Sequence, residues 1–134
     1  MKTLLSLLLL IPSLSWGNFM NGNTLLEYCE SNLEYEKNFC YGTIAGSLDT
    51  IVLYNSYIKS EKQDDEKYKF CNIDKIGDVK QAVDVVINFL KINPKNRNGN
   101  HVVLIDMAIS DWLSCGYYNA ETRKLIEDRL GYNF

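Results

Sequence analysis

The stretch from residue 39 to residue 58 constrains the fold of this chain most, because its apolar residues recur every three or four positions. This spacing is typical of an α-helix that buries one face. Two glycines, Gly42 and Gly46, interrupt the stretch, and each costs about 1 kcal/mol relative to alanine in a helix interior. Because they share one helix face, we expect a second helix to approach the backbone there. Asp49, three residues after Gly46, belongs to the same predicted helix-packing motif.

The chain after residue 20 repeats this helical spacing, and no stretch alternates between apolar and polar residues. A first helix is predicted to begin near Leu25, a second runs from about residue 36 to 57, and a third carries apolar residues over 79–90. A fourth covers 102–113 and is mostly buried because its polar strip is narrow. A last amphipathic helix is predicted over 120–130. The fold class is therefore all-α, a small helical bundle of four main helices plus a C-terminal helical tail.

Capping residues predict where these helices begin and end. Thr24 and Glu27 have the spacing of a capping box for the first helix, and Asp74 is placed to cap the third. Pro94 disfavours helical geometry in the residue before it and suits the first turn of whatever follows, so the third helix ends there. Gly116 is predicted at the C′ position of the fourth helix.

The first 17 residues have the pattern of a cleavable secretory signal. Lys2 supplies a positive start, residues 4–14 are apolar, and the segment 15–17 offers small residues to a signal peptidase. A membrane anchor is the alternative, but the apolar run is shorter than the roughly 20 residues that span a bilayer. We therefore expect a signal peptide over 1–17 and one exported domain over 18–134.

The charge of the mature chain argues against nucleic-acid binding. The full sequence has 14 Lys and Arg against 17 Asp and Glu. Removal of Lys2 with the signal leaves 13 against 17, a net charge of −4. The basic residues are scattered among acids, whereas a protein that binds phosphates presents a basic stripe.

The mature chain carries four cysteines, Cys29, Cys40, Cys71 and Cys115. In an exported protein an even number of cysteines indicates disulfides, and four allow three pairings. We favour Cys29 with Cys40, which would join the end of one helix to the start of the next, and Cys71 with Cys115, which would pin a loop to a later helix. Zinc is the competing interpretation, but there is no Cys-x-x-Cys pair and only one histidine. We predict two disulfides and no metal or cofactor.

Residues that could carry catalysis are few. His101 is the only histidine, and a Cys/His nucleophile would need a free thiol that an exported chain with paired cysteines lacks. A position at a helix start or on the surface is the competing interpretation of His101. Asp49 and Asp106 could form a carboxylate pair, although a mid-helix Asp in a scaffold motif is more often bonded to a neighbour. We predict no catalytic residue.

A charged segment over residues 59–69 lacks apolar periodicity and is expected to be a solvated loop or a frayed helix end. If the protein binds a partner, this acidic, aromatic-flanked loop is the first candidate surface, because Tyr anchors a contact at low entropic cost and acids steer association. The turn over 94–100 is the competing surface. The candidate partner-binding residues of the loop are Glu61, Asp64, Asp65, Glu66 and Tyr68.

Several short motifs follow one another in a specific order along the chain. The most specific block runs over residues 39–49 and contains Cys40, Gly42, Ile44, Gly46 and Asp49. The flanking motifs are Leu25-Leu26-x-x-Cys29, Phe70-Cys71, Val85-Val86-Ile87-Asn88-Phe89-Leu90-Lys91-Ile92-Asn93-Pro94, Ala108 and Cys115. In this order the motifs resemble the Rap/Tai family of type VI secretion amidase immunity proteins, and the likeness covers about residues 21–115. The chain departs from the family in having Leu113-Ser114 where an aromatic-Pro pair is common, and in its longer tail.

This resemblance implies a small all-helical periplasmic protein, usually a homodimer, that binds a peptidoglycan amidase effector and blocks its active site. It also implies a protein that acts by binding and is not an enzyme. Two other hypotheses stay open from the residues alone. One is an exported helical binding module for another protein or a small ligand, and the other is a hydrolase that uses His101.

Overall fold

The computed structural model describes residues 20–61 and 68–116, together with the single positions 124, 128, 129 and 131. The predicted signal segment and nearly all of the predicted C-terminal helical tail lie outside these residues. Four α-helices form the described part, and the only strand-like pairings there are two isolated bridges. The all-α prediction is confirmed. The helices are α1 (Gly22–Glu30), α2 (Glu34–Glu61), α3 (Val79–Ile92) and α4 (His101–Leu113).

The N-terminal caps differ from the predicted ones. Asn21 caps α1, since its side chain accepts a hydrogen bond from the Thr24 backbone N–H at 3.0 Å. The expected capping box at Thr24 is therefore wrong by one helical turn. Asp78 caps α3 by accepting from the Gln81 N–H at 2.7 Å. Asp74 lies instead in a separate 3₁₀ turn, Ile73–Lys75, which ends before α3 begins.

Helix α3 ends just before a proline, and helix α4 ends at a residue with left-handed backbone conformation. Helix α3 ends before Asn93, and Pro94 opens a 3₁₀ turn, Pro94–Asn96, which confirms the predicted stop. Helix α4 ends at Leu113, where Ser114 adopts the left-handed conformation with φ 52°. The predicted role of Gly116 is thus taken by a residue two positions earlier, although Gly116 also has positive φ.

The core lies where all four helices meet. Each helix packs against the other three, and the pairs α3–α4 and α1–α2 are in the most extensive contact. Burying a Leu or Ile side chain contributes about 1.5–3 kcal/mol, so this cluster is the main stabilising feature of the fold. Its most completely buried aliphatic side chains are Leu25, Ile44, Val86, Leu90, Leu104, Ile105 and Ile109.

Two disulfides hold the ends of this bundle. Cys29 of α1 is bonded to Cys40 of α2, and Cys71 of the connecting segment is bonded to Cys115 after α4. This is the pairing favoured from the sequence. The two bonds close loops of 11 and 44 residues. The chain-entropy relation gives stabilisation of about 3 and about 4 kcal/mol for loops of these lengths.

Candidate binding surfaces

His101 contributes structural hydrogen bonds at the start of α4. Its Nδ1 donates a hydrogen bond to the Met20 carbonyl oxygen at 2.9 Å, and its backbone N–H points to the same oxygen at 3.3 Å. The ring thereby ties the first described residue of the domain to the start of α4. Cys29, Cys40, Cys71 and Cys115 are all in disulfides, so the described residues include no free thiol for His101 to activate.

Asp49 and Asp106 do not form a carboxylate pair. Asp49 is exposed on α2. Asp106 is exposed as a residue, but enough protein surrounds its carboxyl group that desolvation raises its pKa above the ordinary value. Desolvation is the only cause of this shift, whereas a second carboxylate nearby would add a repulsive contribution. Asp49 and Asp106 therefore do not act as the close acid pair that glycoside hydrolysis uses.

The described ranges contain no group of three His, Cys, Asp or Glu side chains placed to hold a metal ion. None of the helices among the described residues is long and apolar enough to cross a membrane.

Helix α2 has an outer stripe that faces away from the core. At about 100° per residue its members fall within an arc of about 80°, on the side opposite the buried Ile44. Large apolar side chains stand at both ends of the stripe, and Leu53 is 71% exposed. Between them lie the two glycines and an acid. The outer stripe consists of Tyr35, Phe39, Gly42, Gly46, Asp49, Leu53 and Tyr57.

The glycines of this stripe do not pack against another of the described helices. A Cβ atom added at Gly42 or at Gly46 would meet no atom of the described residues within 4 Å. The described helices of the protomer therefore do not supply the predicted second helix, and a helix-packing role for Gly42, Gly46 and Asp49 stays a prediction, because all three residues lie on the exposed face. Gly22 shows the contrast, since a Cβ there would lie 2.5 Å from Leu104 Cδ1.

The predicted partner-binding loop is described only at its ends. Asp64, Asp65 and Glu66 lie outside the described residues, as does the side chain of Glu61. Tyr68 is only 9% exposed. Its hydroxyl donates to Asn55 Oδ1 at 2.6 Å. This burial corrects the expectation that the Tyr68 ring is an exposed anchor, because the ring instead fixes the end of the loop to α2.

Asn55 connects this contact to the second disulfide. Its Nδ2 donates to the Cys71 carbonyl oxygen at 2.8 Å, while its Oδ1 accepts from Tyr68. The Tyr68 ring also stands edge-on to Phe70, with ring centroids 5.3 Å apart. The second half of α2 is thus joined to the segment that leads into the Cys71–Cys115 bond.

The competing surface, the turn over residues 94–100, has its backbone engaged with α1. Gly22 N–H donates to the Gly99 carbonyl at 3.2 Å, and Asn23 N–H donates to the Arg97 carbonyl at 3.1 Å. The Arg97 side chain in turn donates from Nε to the Leu90 carbonyl at 2.7 Å. These bonds make the turn a fixed part of the bundle.

A groove of about 300 Å³ lies between α3 and α4. Its floor is formed by the buried Phe89 and Ala108, and its apolar walls include Ile92 and Trp112, which are 67% and 44% exposed. The side chains that line this α3–α4 groove are Asp84, Val85, Asn88, Phe89, Ile92, Ala108, Asp111 and Trp112.

Among the described residues, the lining of the groove includes two carboxylates, those of Asp84 and Asp111, and no Lys or Arg. Sequence reasoning missed this surface, because it predicted only that the helix over residues 102–113 is mostly buried. The groove depends on how α3 and α4 pair, and helical periodicity within either helix carries no signal for that. The one residue of the groove that stands out in the sequence is Trp112, the only tryptophan after residue 17.

A comparison with known protein families identifies the family of this chain. The family model described as Rap1a immunity proteins matches residues 21–115. The chain belongs to the Rap1a immunity protein family. The matched range begins at the cap of α1 and ends at Cys115 of the second disulfide, so it covers the whole described bundle. No curated protein and no solved structure is significantly similar to the chain.

Membership of the Rap1a family establishes an immunity function, in which the protein binds a partner effector protein. It confirms the resemblance drawn from the motif order between Leu25 and Cys115. The motif residues themselves mostly build the scaffold, since Cys29, Cys40 and Ile44 are buried in the core. Exposed surfaces that a partner could contact include the outer stripe and the α3–α4 groove. The loop after α2 and the turn over residues 94–100 stay predicted partner-binding surfaces.

Proposed function

We propose that this Rap1a-family protein is a periplasmic immunity protein that binds and occludes a cell-wall amidase delivered by type VI secretion. The observation that carries the proposal is the family match across the whole disulfide-bonded bundle. A bundle whose described residues contain no free thiol and no metal-ligand cluster is suited to act by binding. The protein would then neutralise its effector by covering it, without turnover of its own.

Export to the periplasm is the second part of the proposal. Two disulfides, each within a core of buried residues, fit a protein that folds in an oxidising compartment. The segment over residues 1–17 would be the signal that directs it there and is then removed. The domain over residues 18–134 would be the mature immunity protein.

The loop after α2 remains a proposed effector-binding surface. The acidic residues Glu61, Asp64, Asp65 and Glu66 would steer a partner with a basic cleft. Tyr68 contributes by holding the end of the loop, since its hydroxyl is bonded to Asn55. Its ring would reach a partner only if that contact opened.

A homodimer through the outer stripe of α2 is the third part of the proposal. A two-fold axis at Gly46 would place Phe39 of one antiparallel helix opposite Leu53 of the other, and Tyr35 opposite Tyr57. Such an interface is self-complementary, as a two-fold contact must be. Glycine at the crossing point would let the two backbones come close, which accounts for residues that otherwise only weaken the helix.

Protection of living cells tests the immunity and export proposals together. A peptidoglycan amidase encoded beside this protein would be directed to the periplasm of a test strain, which should lyse. We expect the full-length chain to prevent lysis and a variant without residues 2–17 to fail, although both accumulate equally. Equal protection by both would contradict the periplasmic site, and protection by neither would contradict the proposed target.

Sedimentation tests the dimer separately. We expect Gly46→Leu to sediment as a monomer at concentrations where the parent is a dimer, because the added side chain would hold the helices apart. An exposed change off the stripe, Glu27→Leu, is the control and should leave the parent's behaviour unchanged. Identical sedimentation of parent and Gly46→Leu would contradict this contact.

A further inference from the structure

We propose that the link between Asn98 and Gly99 is a self-modification site, where the asparagine loses ammonia and the main chain is rerouted into an isoaspartyl linkage. The only reactants are the chain itself and water. The modification would release the turn over residues 94–100 from α1. This inference does not depend on the proposed function, because it rests on the chemistry of one dipeptide and on the contacts of the turn.

The chain contains the same reactive tripeptide twice. Asn-Gly-Asn occurs at residues 21–23 and again at residues 98–100. An asparagine followed by glycine is the dipeptide most prone to deamidation, because glycine has no side chain to hinder the approach of its backbone nitrogen to the asparagine side chain. The two copies lie side by side, since Asn21 and Asn100 form an isolated antiparallel bridge. Because the reacting residues are identical, the folded structure decides which copy reacts.

The reaction balances with water as the only added reactant. The backbone nitrogen of Gly99 forms a bond to Cγ of Asn98, and the Cγ–Nδ2 bond breaks. The side-chain nitrogen leaves as ammonia and takes the proton of the Gly99 N–H, which closes a succinimide ring. Water then opens the ring at either carbonyl carbon. Opening at the side-chain carbonyl gives an aspartate, and opening at the main-chain carbonyl gives an isoaspartate.

The first copy is held in place by helix α1. Asn21 Oδ1 accepts hydrogen bonds from the Thr24 backbone N–H at 3.0 Å and from its hydroxyl at 3.3 Å. Gly22 is buried, and its N–H donates to the Gly99 carbonyl at 3.2 Å. Attack by the Gly22 nitrogen on the Asn21 side chain would therefore require the first turn of α1 to open.

The second copy lies in the turn between α3 and α4, and the Asn98 side chain is exposed. Its Oδ1 accepts from Nδ2 of the exposed Asn23 at 3.0 Å. The Gly99 N–H donates to the Asn96 carbonyl at 2.9 Å. Both bonds can open without the unwinding of a helix, so a local motion of the turn brings the Gly99 nitrogen to the Asn98 side chain.

The two products differ in their effect on the turn. The carbonyls on either side of Asn98 fix it to α1, since Arg97 accepts from the Asn23 N–H at 3.1 Å and Gly99 accepts from the Gly22 N–H at 3.2 Å. An isoaspartyl linkage adds one carbon to the main chain between these carbonyls, so the two bonds cannot both keep their geometry. An aspartate leaves the main chain unchanged, and its carboxylate lies near the positive end of α1. Only the isoaspartyl product therefore releases the turn.

Peptide mapping tests the site. The mature, oxidised protein would be kept in mildly alkaline buffer below its unfolding temperature, and mass spectrometry with fragmentation would locate aspartate and isoaspartate. We expect at least about tenfold more product at Asn98 than at Asn21 in the folded protein, and similar rates at both in denaturant. Asn98→Gln is the control and should give no product at this position, because its longer side chain would have to close a larger ring.

Three outcomes of this mapping would overturn the site. They are equal reaction of the two copies in the folded protein, no reaction at Asn98, and a preference for Asn98 that persists unchanged in denaturant. The last result would show that flanking residues, and not the fold, select the reactive copy.

Hydrogen exchange tests the release of the turn. We expect the backbone amides of Gly22 and Asn23 to exchange about tenfold faster or more in the isoaspartyl fraction, and at the parent's rate in Asn98→Asp. The Gln81 amide, which donates to Asp78 Oδ1 at the start of α3, is the control and should exchange alike in all samples. Unchanged exchange at Gly22 and Asn23 in the isoaspartyl fraction, or equal acceleration in Asn98→Asp, would contradict the release.

Discussion

The two faces of α2 differ in whether contacts within the protomer account for their residues. The inner face is buried, carries a disulfide and contributes most of its large side chains to the core, where α2 packs against α1, α3 and α4. The outer face presents large apolar side chains to solvent, and a Cβ added at either of its two glycines would meet no described residue within 4 Å. The inner residues are Cys40, Ile44, Leu48, Ile51 and Ile58.

We infer that the residues of the inner face stabilise the fold, whereas those of the outer stripe are exposed for contact with a partner. Substitutions on the inner face should change the free energy of unfolding, because packing there already satisfies each residue. Substitutions on the outer stripe should leave the protomer as stable or more stable and should act on association. Four measurements test this separation.

Removal of a buried side chain from the inner face should have the largest effect. Ile44 is fully buried. We expect Ile44→Ala to lower the free energy of unfolding by about 2–5 kcal/mol, through lost burial and the cavity left behind. Urea denaturation of the oxidised protein measures the change. Leu53→Ala, on the outer stripe, should cost no more than about 0.5 kcal/mol in the monomer, and equal losses for the two variants would contradict the separation.

Loss of Asn55, which is half-buried on the inner side of α2, should have an intermediate effect. Asn55→Ala removes the acceptor for the Tyr68 hydroxyl and the donor to the Cys71 carbonyl. Because both partners are largely buried, we expect a loss of about 1–3 kcal/mol in the same denaturation experiment. Asn23→Ala, which breaks an exposed amide pair with Asn98, is the control. A smaller loss for Asn55→Ala than for this control would show that the contact does not anchor the segment.

Replacement of an outer glycine should stabilise the monomer. Since no described residue lies within 4 Å of a Cβ at Gly46, we expect Gly46→Ala to gain helix propensity without a clash, by up to about 1 kcal/mol. Thermal unfolding at a concentration below dimerisation measures it. Gly22→Ala is the opposite control, because its Cβ would lie 2.5 Å from Leu104 Cδ1 and 3.0 Å from the Arg97 carbonyl oxygen. If Gly46→Ala lost as much stability as Gly22→Ala, the placement of Gly46 on the exposed face would be refuted.

The smallest expected effect is on the titration of Tyr35. The charge of Glu36 and the hydrogen bond from the Tyr35 hydroxyl to Glu36 Oε1 at 3.2 Å both raise the pKa of this phenol. We expect Glu36→Gln to lower the Tyr35 pKa toward its ordinary value, as measured by NMR on a dilute sample. Glu34→Gln should change it less. A rise in the Tyr35 pKa at concentrations where the dimer forms would indicate that dimerisation buries the outer stripe.

Helix content was predictable because each helix carries its own periodic pattern. Helix α4 was placed to within one residue of its start, and α3 ends where Pro94 requires it. Caps were less predictable, since Asn21 and Asp78 act where Thr24 and Asp74 also fit the local pattern. The choice between such neighbours depends on where the first turn meets the core, which is a tertiary property.

The binding surfaces were less predictable than the helices. Gly42 and Gly46 were recognised as unusual, but the sequence does not state whether the approaching helix comes from the same chain. Trp112 and Ile92 fit an apolar helical face equally well as core or as groove wall, and only the pairing of α3 with α4 leaves them exposed. Motifs that place disulfides therefore recover the scaffold, whereas partner contacts depend on surfaces that several helices share.

Inhibition of a purified amidase tests the central claim most directly. The mature, oxidised protein would be titrated into the amidase of the protection assay while release of peptide from peptidoglycan is followed. A protein that occludes the active site predicts activity that falls in proportion to added protomer and reaches zero near a fixed stoichiometric ratio. Full amidase activity in the presence of excess folded protein would contradict the account.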